Sequence, residues 1–89
     1  MSRIHVWISG VVQGVGFRFR THEIASHYNV EGYVKNLFDG KVELWVEGER
    51  DEVDAMLKEI ANRMANNIRG VDISELPPTG KKGFRIAYE

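Results

Sequence analysis

Apolar and polar residues alternate at the start of the chain: Ile4, Val6 and Ile8 interleave with His5, Trp7 and Ser9. That period of two belongs to a strand covered on one face and predicts a first strand over residues 3–9. After a glycine-punctuated stretch, Phe17, Thr21, Ile24, Ala25 and Tyr28 recur at helical spacing opposite Arg20, Glu23 and Ser26. This is an amphipathic helix that should stop near Asn29. Residues 30–36 return to a strand pattern, Asn36-Leu37-Phe38-Asp39-Gly40 reads as a turn, and Val42, Leu44 and Val46 alternate after it, so the second and third strands form a hairpin. Beyond Gly48, a stripe of Val53, Met56, Leu57, Ile60, Ala61 and Met64 predicts a second helix over about residues 50–66. Asp51 and Glu52 open it at the end of the dipole that favours acids. Residues 71–76 are a weaker strand candidate, Pro77-Pro78-Thr79-Gly80 breaks it, and residues 83–88 close the chain as a short strand.

The order is therefore β-α-β-β-α-β with one added strand. Two helices can cover one face of an antiparallel sheet, which makes the expected fold α+β: a two-layer, ferredoxin-like sandwich with an extra C-terminal strand. In this split β-α-β arrangement the first two strands run parallel with the third between them. Their carboxyl ends then share one edge of the sheet, two strand spacings or roughly 10 Å apart.

Composition narrows the possibilities. A chain of 89 residues makes one domain, 1–89, able to bury roughly 60 per cent of its unfolded surface. With 43% hydrophobic and 28% charged residues it has the balance of a globular protein, and no run approaches the ~20 apolar residues of a membrane span. Because Met1-Ser2-Arg3-Ile4 leads at once into a strand, no signal peptide is expected and a cytoplasmic location is. Zero cysteines remove disulfides, thiolate catalysis and zinc-thiolate sites. A net charge of −1 gives no broad attraction for nucleic acid or anionic lipid, so recognition of an anion has to be local. The short chain and charged helix faces favour a monomer.

Local recognition is on offer between the first strand and the first helix, in Gly10-Val11-Val12-Gln13-Gly14-Val15-Gly16-Phe17-Arg18. Glycines at 10, 14 and 16 allow positive φ and leave backbone N–H groups unobstructed. The first N–H groups of the helix add to them at its positive end, and Arg18 brings a forked cation suited to phosphate oxygens. The stretch lacks the Lys-Ser/Thr pair of a nucleotide-binding P-loop and the third glycine of a dinucleotide fingerprint. A tight turn whose glycines serve only the backbone is the plainer alternative.

Asn36 ends the second strand on the same sheet edge and shares parity with Val34, which should face the helices. It is either a turn residue capping its own backbone or an amide that holds a water in line with a bound phosphorus atom. His5 is expected on the uncovered face, and His22 and His27 on the solvated side of the first helix, none with metal-ligand spacing. Trp7 and Trp45 share the open face, where an RNA-binding module of this element order would stack bases, yet Glu43 and Glu47 flank Trp45 and would repel phosphates. Nucleic-acid binding is not expected.

The loop, together with Gly32-Tyr33-Val34-Lys35-Asn36 and Asp39-Gly40-Lys41-Val42-Glu43, closely resembles the acylphosphatase family over essentially the whole chain. Tyr33 stands where that family often carries Trp, and Lys35 where it often carries Arg. The resemblance implies a hydrolase that cleaves the carboxyl–phosphate anhydride of acyl phosphates without cofactor or metal. It further implies that Arg18 and Asn36 are catalytic, Arg18 binding the phosphoryl group and Asn36 positioning water. The cradle of Gln13, Gly14, Val15, Gly16, Phe17 and Arg18 is expected to bind that group, and phosphate or sulfate, sharing its tetrahedral oxyanion, is expected to inhibit. The acylphosphatase-like domain of larger carbamoyl-transferring maturation proteins is a further possibility, disfavoured where the chain ends with the domain.

Overall fold

The computed structural model describes residues 1–88. Its elements run β1 (Ser2–Gly10), α1 (Phe17–Ala25), β2 (Val30–Asn36), β3 (Val42–Gly48), α2 (Arg50–Arg63), β4 (Ile68–Leu76) and β5 (Phe84–Ala87). The five strands form one sheet in the order β4-β1-β3-β2-β5, with β3 between β1 and β2 as expected. Both helices lie on the face lined by Ile4, Val6, Ile8, Val34, Val42, Leu44 and Val46, and close a core with Phe17, Ile24, Val53, Met56 and Ile60. Alternation along each strand put these side chains on one face, and each is at most 3% exposed.

Neighbours among β1 to β4 pair antiparallel, whereas β5 joins β2 in parallel, so the sheet is mixed. The chain's path explains the last pairing. Because β4 runs antiparallel to β1, it ends at the edge where β2 begins. Residues 77–83 cross the sheet along that edge, and a strand leaving from there must run alongside β2 in the same direction. Glu47 anchors the crossing by accepting hydrogen bonds from Thr79 N, Thr79 Oγ1 and Gly80 N, and Glu31 accepts one from Gly83 N.

Helix α1 is shorter than its apolar pattern. His27 N and Tyr28 N bond back three residues, to Ile24 O and Ala25 O, tightening the last turn and ending the helix. Strand β4 begins at Ile68, earlier than expected, because Ile68 pairs with Gly10 across a bulge. The expected surface role for His5 is wrong: it is only 8% exposed. Its ring lies 3.7 Å from those of Trp7 and Trp45, and Nε2 sits 2.9 Å from Glu43 Oε2. No helix among the described residues is long and apolar enough to cross a membrane.

Candidate active site

The loop between β1 and α1 is held at its root by the approach to β4. Val11 N donates to Asn67 O at 2.9 Å, and Asn67 Nδ2 returns a bond to Val11 O at 3.0 Å. A Cβ on Gly10 would stand 2.2 Å from Asn67 O, so this glycine serves close packing at the root rather than the cradle itself. Sequence reasoning missed Asn67, whose only local signal is that of a polar residue after a helix. Val12, 1% exposed, then plugs the loop into the core.

Past Val12 the backbone turns outward. Gly14 and Gly16 adopt φ of 76° and 79°, yet no atom lies within 4 Å of where their Cβ atoms would be. Backbone conformation, not crowding, is what asks for glycine at both. Gly16 is the N-cap of α1 and brings no side-chain cap, and the first turn carries no acidic residue. The N–H groups at this positive helix end thus have no side-chain cap, and such groups can donate to an anion. Phe17 is 2% exposed with its ring in the core, so what it can present at this end of the helix is its backbone N–H.

Arg18, half-buried, leaves α1 toward the end of β5. Its guanidinium lies 4.8 Å from the Tyr88 ring centre, and Nη1 makes one long hydrogen bond of 3.5 Å to Ala87 O. Ala87 pairs with Lys35, the residue before Asn36. From the other side Gln13 Nε2 donates to Leu37 O at 2.7 Å and to Lys41 O at 2.8 Å. Two tethers thus converge on the end of β2, next to Asn36: Gln13 from the loop through Leu37 and Lys41, and Arg18 through Ala87 and Lys35. Gln13's side chain is occupied by the hairpin, so what it can offer an anion is its backbone. Asn36 is half-buried, and its Oδ1 is buried with no hydrogen-bond partner among the described residues.

The arrangement offers N–H dipoles, one arginine and one amide with an unpaired acceptor. Among the described residues no three His, Cys, Asp or Glu side chains gather as a metal site would need. Such equipment suits a tetrahedral oxyanion and a leaving group that needs no proton.

Comparison with known proteins agrees with the motifs. The acylphosphatase family model matches residues 4–86. The chain belongs to the acylphosphatase family. An acylphosphatase from Synechococcus sp. is 42% identical over 85 residues, covering 94% of this chain and 90% of that protein. Among solved structures, the acylphosphatase of Bacillus subtilis superposes with a TM-score of 0.89 at 28% identity, covering 99% of this chain and 100% of that one. The HypF protein of T. kodakarensis matches with a TM-score of 0.86 at 33% identity, covering all of this chain but 12% of that one. As an acylphosphatase-family enzyme the chain acts on a small-molecule acyl phosphate, and its fold is the one its relatives share.

Proposed function

We propose that the loop of residues 10–18 binds the phosphoryl group of an acyl phosphate and that Asn36 holds the water that attacks it. A carboxylate whose conjugate acid has a pKa of about 4 departs at neutral pH without a proton donor. What remains is to assemble water and phosphorus in line and to stabilise charge on the three equatorial oxygens. Backbone N–H groups of Gln13, Gly14, Val15, Gly16 and Phe17, with the helix dipole behind them, meet those oxygens, and the fork of Arg18 takes two. Water oxygen bonds to phosphorus as the bond to the carboxylate oxygen breaks, and a phosphoryl oxygen takes the water's proton. The products are a carboxylate and inorganic phosphate, and phosphate or sulfate competes for the same cradle.

The observation that carries this reading is the convergence at the end of β2: Gln13 Nε2 ties the glycine loop to Leu37 O and Lys41 O just past Asn36, and Arg18 reaches Ala87 O on the strand residue that pairs with Lys35. Asn36 places there an amide that can both donate to and accept from a water. If Asn36 only caps the hairpin, Asn36→Ala costs roughly 1 kcal/mol of stability and leaves turnover intact. In the proposed role, kcat falls by a factor on the order of 10² to 10³ while the phosphate inhibition constant stays close to wild type. A folded variant that binds phosphate normally and keeps more than about half the wild-type kcat removes Asn36 from the mechanism.

A further inference from the structure

We propose that Gln13 is a positioning residue: its side-chain amide fixes the separation between the phosphate cradle and Asn36, without touching substrate. The inference rests on the reading that Asn36 holds the attacking water, and deepens it.

The turn after Asn36 is held by its own hydrogen bonds, including Lys41 N to Asp39 Oδ1 at 3.0 Å, but its tip buries no side chain against the core. Phe38 is 91% exposed, and Asp39 and Gly40 are exposed too. Two carbonyls close this turn: Leu37 O accepts Gly40 N at 3.2 Å, and Lys41 O accepts Leu37 N at 2.8 Å. Gln13 Nε2 donates to both of these carbonyls, at 2.7 and 2.8 Å. Each is therefore shared between a bond inside the turn and a bond to the loop. Gln13 is itself fixed, because its neighbour Val12 is 1% exposed in the core and Gly14 begins the cradle. A short path of rigid links runs from the core through Val12 and Gln13 to the turn, and the first residue before that turn is Asn36.

The chemistry asks for this side chain. Two converging carbonyls need two N–H donors on one atom, and a primary amide supplies them without charge. A glutamate would set acceptors against acceptors, and a methionine of similar length would donate to neither. In-line attack is sensitive to displacements of about 1 Å, so slack between loop and hairpin lowers the rate of the chemical step more than phosphate binding, which the loop alone provides.

The test is a double-mutant cycle of Gln13→Met and Asn36→Ala, reading kcat for a model acyl phosphate, the inhibition constant of inorganic phosphate and the unfolding midpoint. The expected result is that Gln13→Met lowers kcat by a factor on the order of 10 to 10² with the phosphate constant within about twofold of wild type. In the Asn36→Ala background it lowers kcat no further than about twofold, because the residue through which it acts is gone. Should Gln13→Met not fold, Gln13→Asn, which keeps the amide but falls one methylene short of the turn, replaces it with the same expectation. A lowered midpoint with kcat per folded molecule unchanged makes Gln13 a purely structural clip and overturns the proposal. Fully multiplicative effects in the double variant overturn it too, as does a phosphate constant that weakens in step with kcat. If Asn36→Ala itself leaves kcat intact, the reading beneath falls and this inference with it; if only the Gln13 change is silent, this inference falls alone.

Discussion

The two faces of the sheet treat their polar groups in opposite ways. On the open face Glu43 accepts hydrogen bonds from Tyr33 Oη at 3.2 Å and meets His5 Nε2 at 2.9 Å, with Lys35 Nζ 3.7 Å away. Burial, then the charge and hydrogen bond of Glu43, push the Tyr33 phenol up to about 12. A cleft of about 100 Å³ opens there between Arg3, Tyr33, Trp45 and Arg85, but Arg3 already lies 3.9 Å over the Trp45 ring and Glu47 is taken by the crossing loop. Across the sheet, at the β1–α1 end, the first helical turn has no side-chain cap, and among the described residues Arg18 makes one long hydrogen bond and Asn36 Oδ1 none. Networks closed on themselves hold a fold together, whereas groups left open beside a glycine loop suit a ligand. Each region has its exception. Trp45 Nε1 is buried and unpartnered on the open face, for which nothing in the fold gives a reason, and Gln13 is fully engaged beside the cradle.

The largest effect that would break this contrast is expected at Arg18. Arg18→Lys keeps the charge and loses the planar fork, so both phosphate affinity and kcat should fall, kcat by a factor on the order of 10² or more. The unfolding midpoint should barely move, since among the described residues the native guanidinium makes one marginal hydrogen bond, and a lysine can still place its ammonium near the Tyr88 ring. Steady-state kinetics and a denaturant titration check the pair of outcomes. A loss of kcat below tenfold would mean that the loop N–H groups suffice and the arginine is ancillary.

Much of this contrast could be read before the structure, and what could not has physical causes. Element order followed from periodicity because Val34, Val42 and Leu44 sit on strands whose alternation is clean, and strand order then placed Asn36 beside the loop. The direction of β5 was not legible: four residues do not encode an edge, and the crossing of residues 77–83 decides it. His5 was misjudged because alternation tells which face a residue takes, not what covers that face. Trp45 and Glu43 on the neighbouring strand enclose it. The engagement of Gln13 was equally hidden, since its acceptors lie 24 and 28 residues along the chain.

A middle-sized effect should come from the open face and touch stability alone. Hydrogen bonds from Thr79 N–H, then from Gly80 N–H and the Thr79 hydroxyl, hold the Glu47 carboxyl below its ordinary 4.5, outweighing the opposing effect of burial. A depressed folded value means that ionised Glu47 stabilises the fold above about pH 4.5, and that this contribution is lost as pH falls through the folded value. Glu47→Gln puts an NH₂ against N–H donors and should cost about 1–3 kcal/mol at neutral pH, with kcat per folded molecule unchanged. Urea midpoints at pH 7 and near pH 3 should show the gap between wild type and variant shrinking in acid. A gap independent of pH would take the carboxylate's charge out of the account, and a tenfold loss of kcat would tie the two faces together.

The smallest effect is the sharpest check on their separation, because it concerns the residue next to Asn36. Lys35 lies one position earlier on β2, close to the same sheet edge, but alternation turns it to the open face, where its ammonium pairs with Glu43 at 3.7 Å. Lys35→Met retains an apolar stem but removes the ammonium, 5.9 Å from the Tyr33 ring centre, and with it a partly exposed pair of the kind that contributes about 0–1 kcal/mol. Glu43 keeps His5 and Tyr33 as partners, so the carboxylate is not stranded. Stability should therefore shift by no more than about 1 kcal/mol and kcat by less than about twofold. Neighbouring positions on one strand would then differ by on the order of 10² in their effect on turnover, as expected if attack geometry is set on the helix-covered side. Were Lys35→Met instead to lower kcat tenfold or more with the phosphate constant unchanged, the attacking water would be governed from both faces, and Asn36 would share its role with the open-face network.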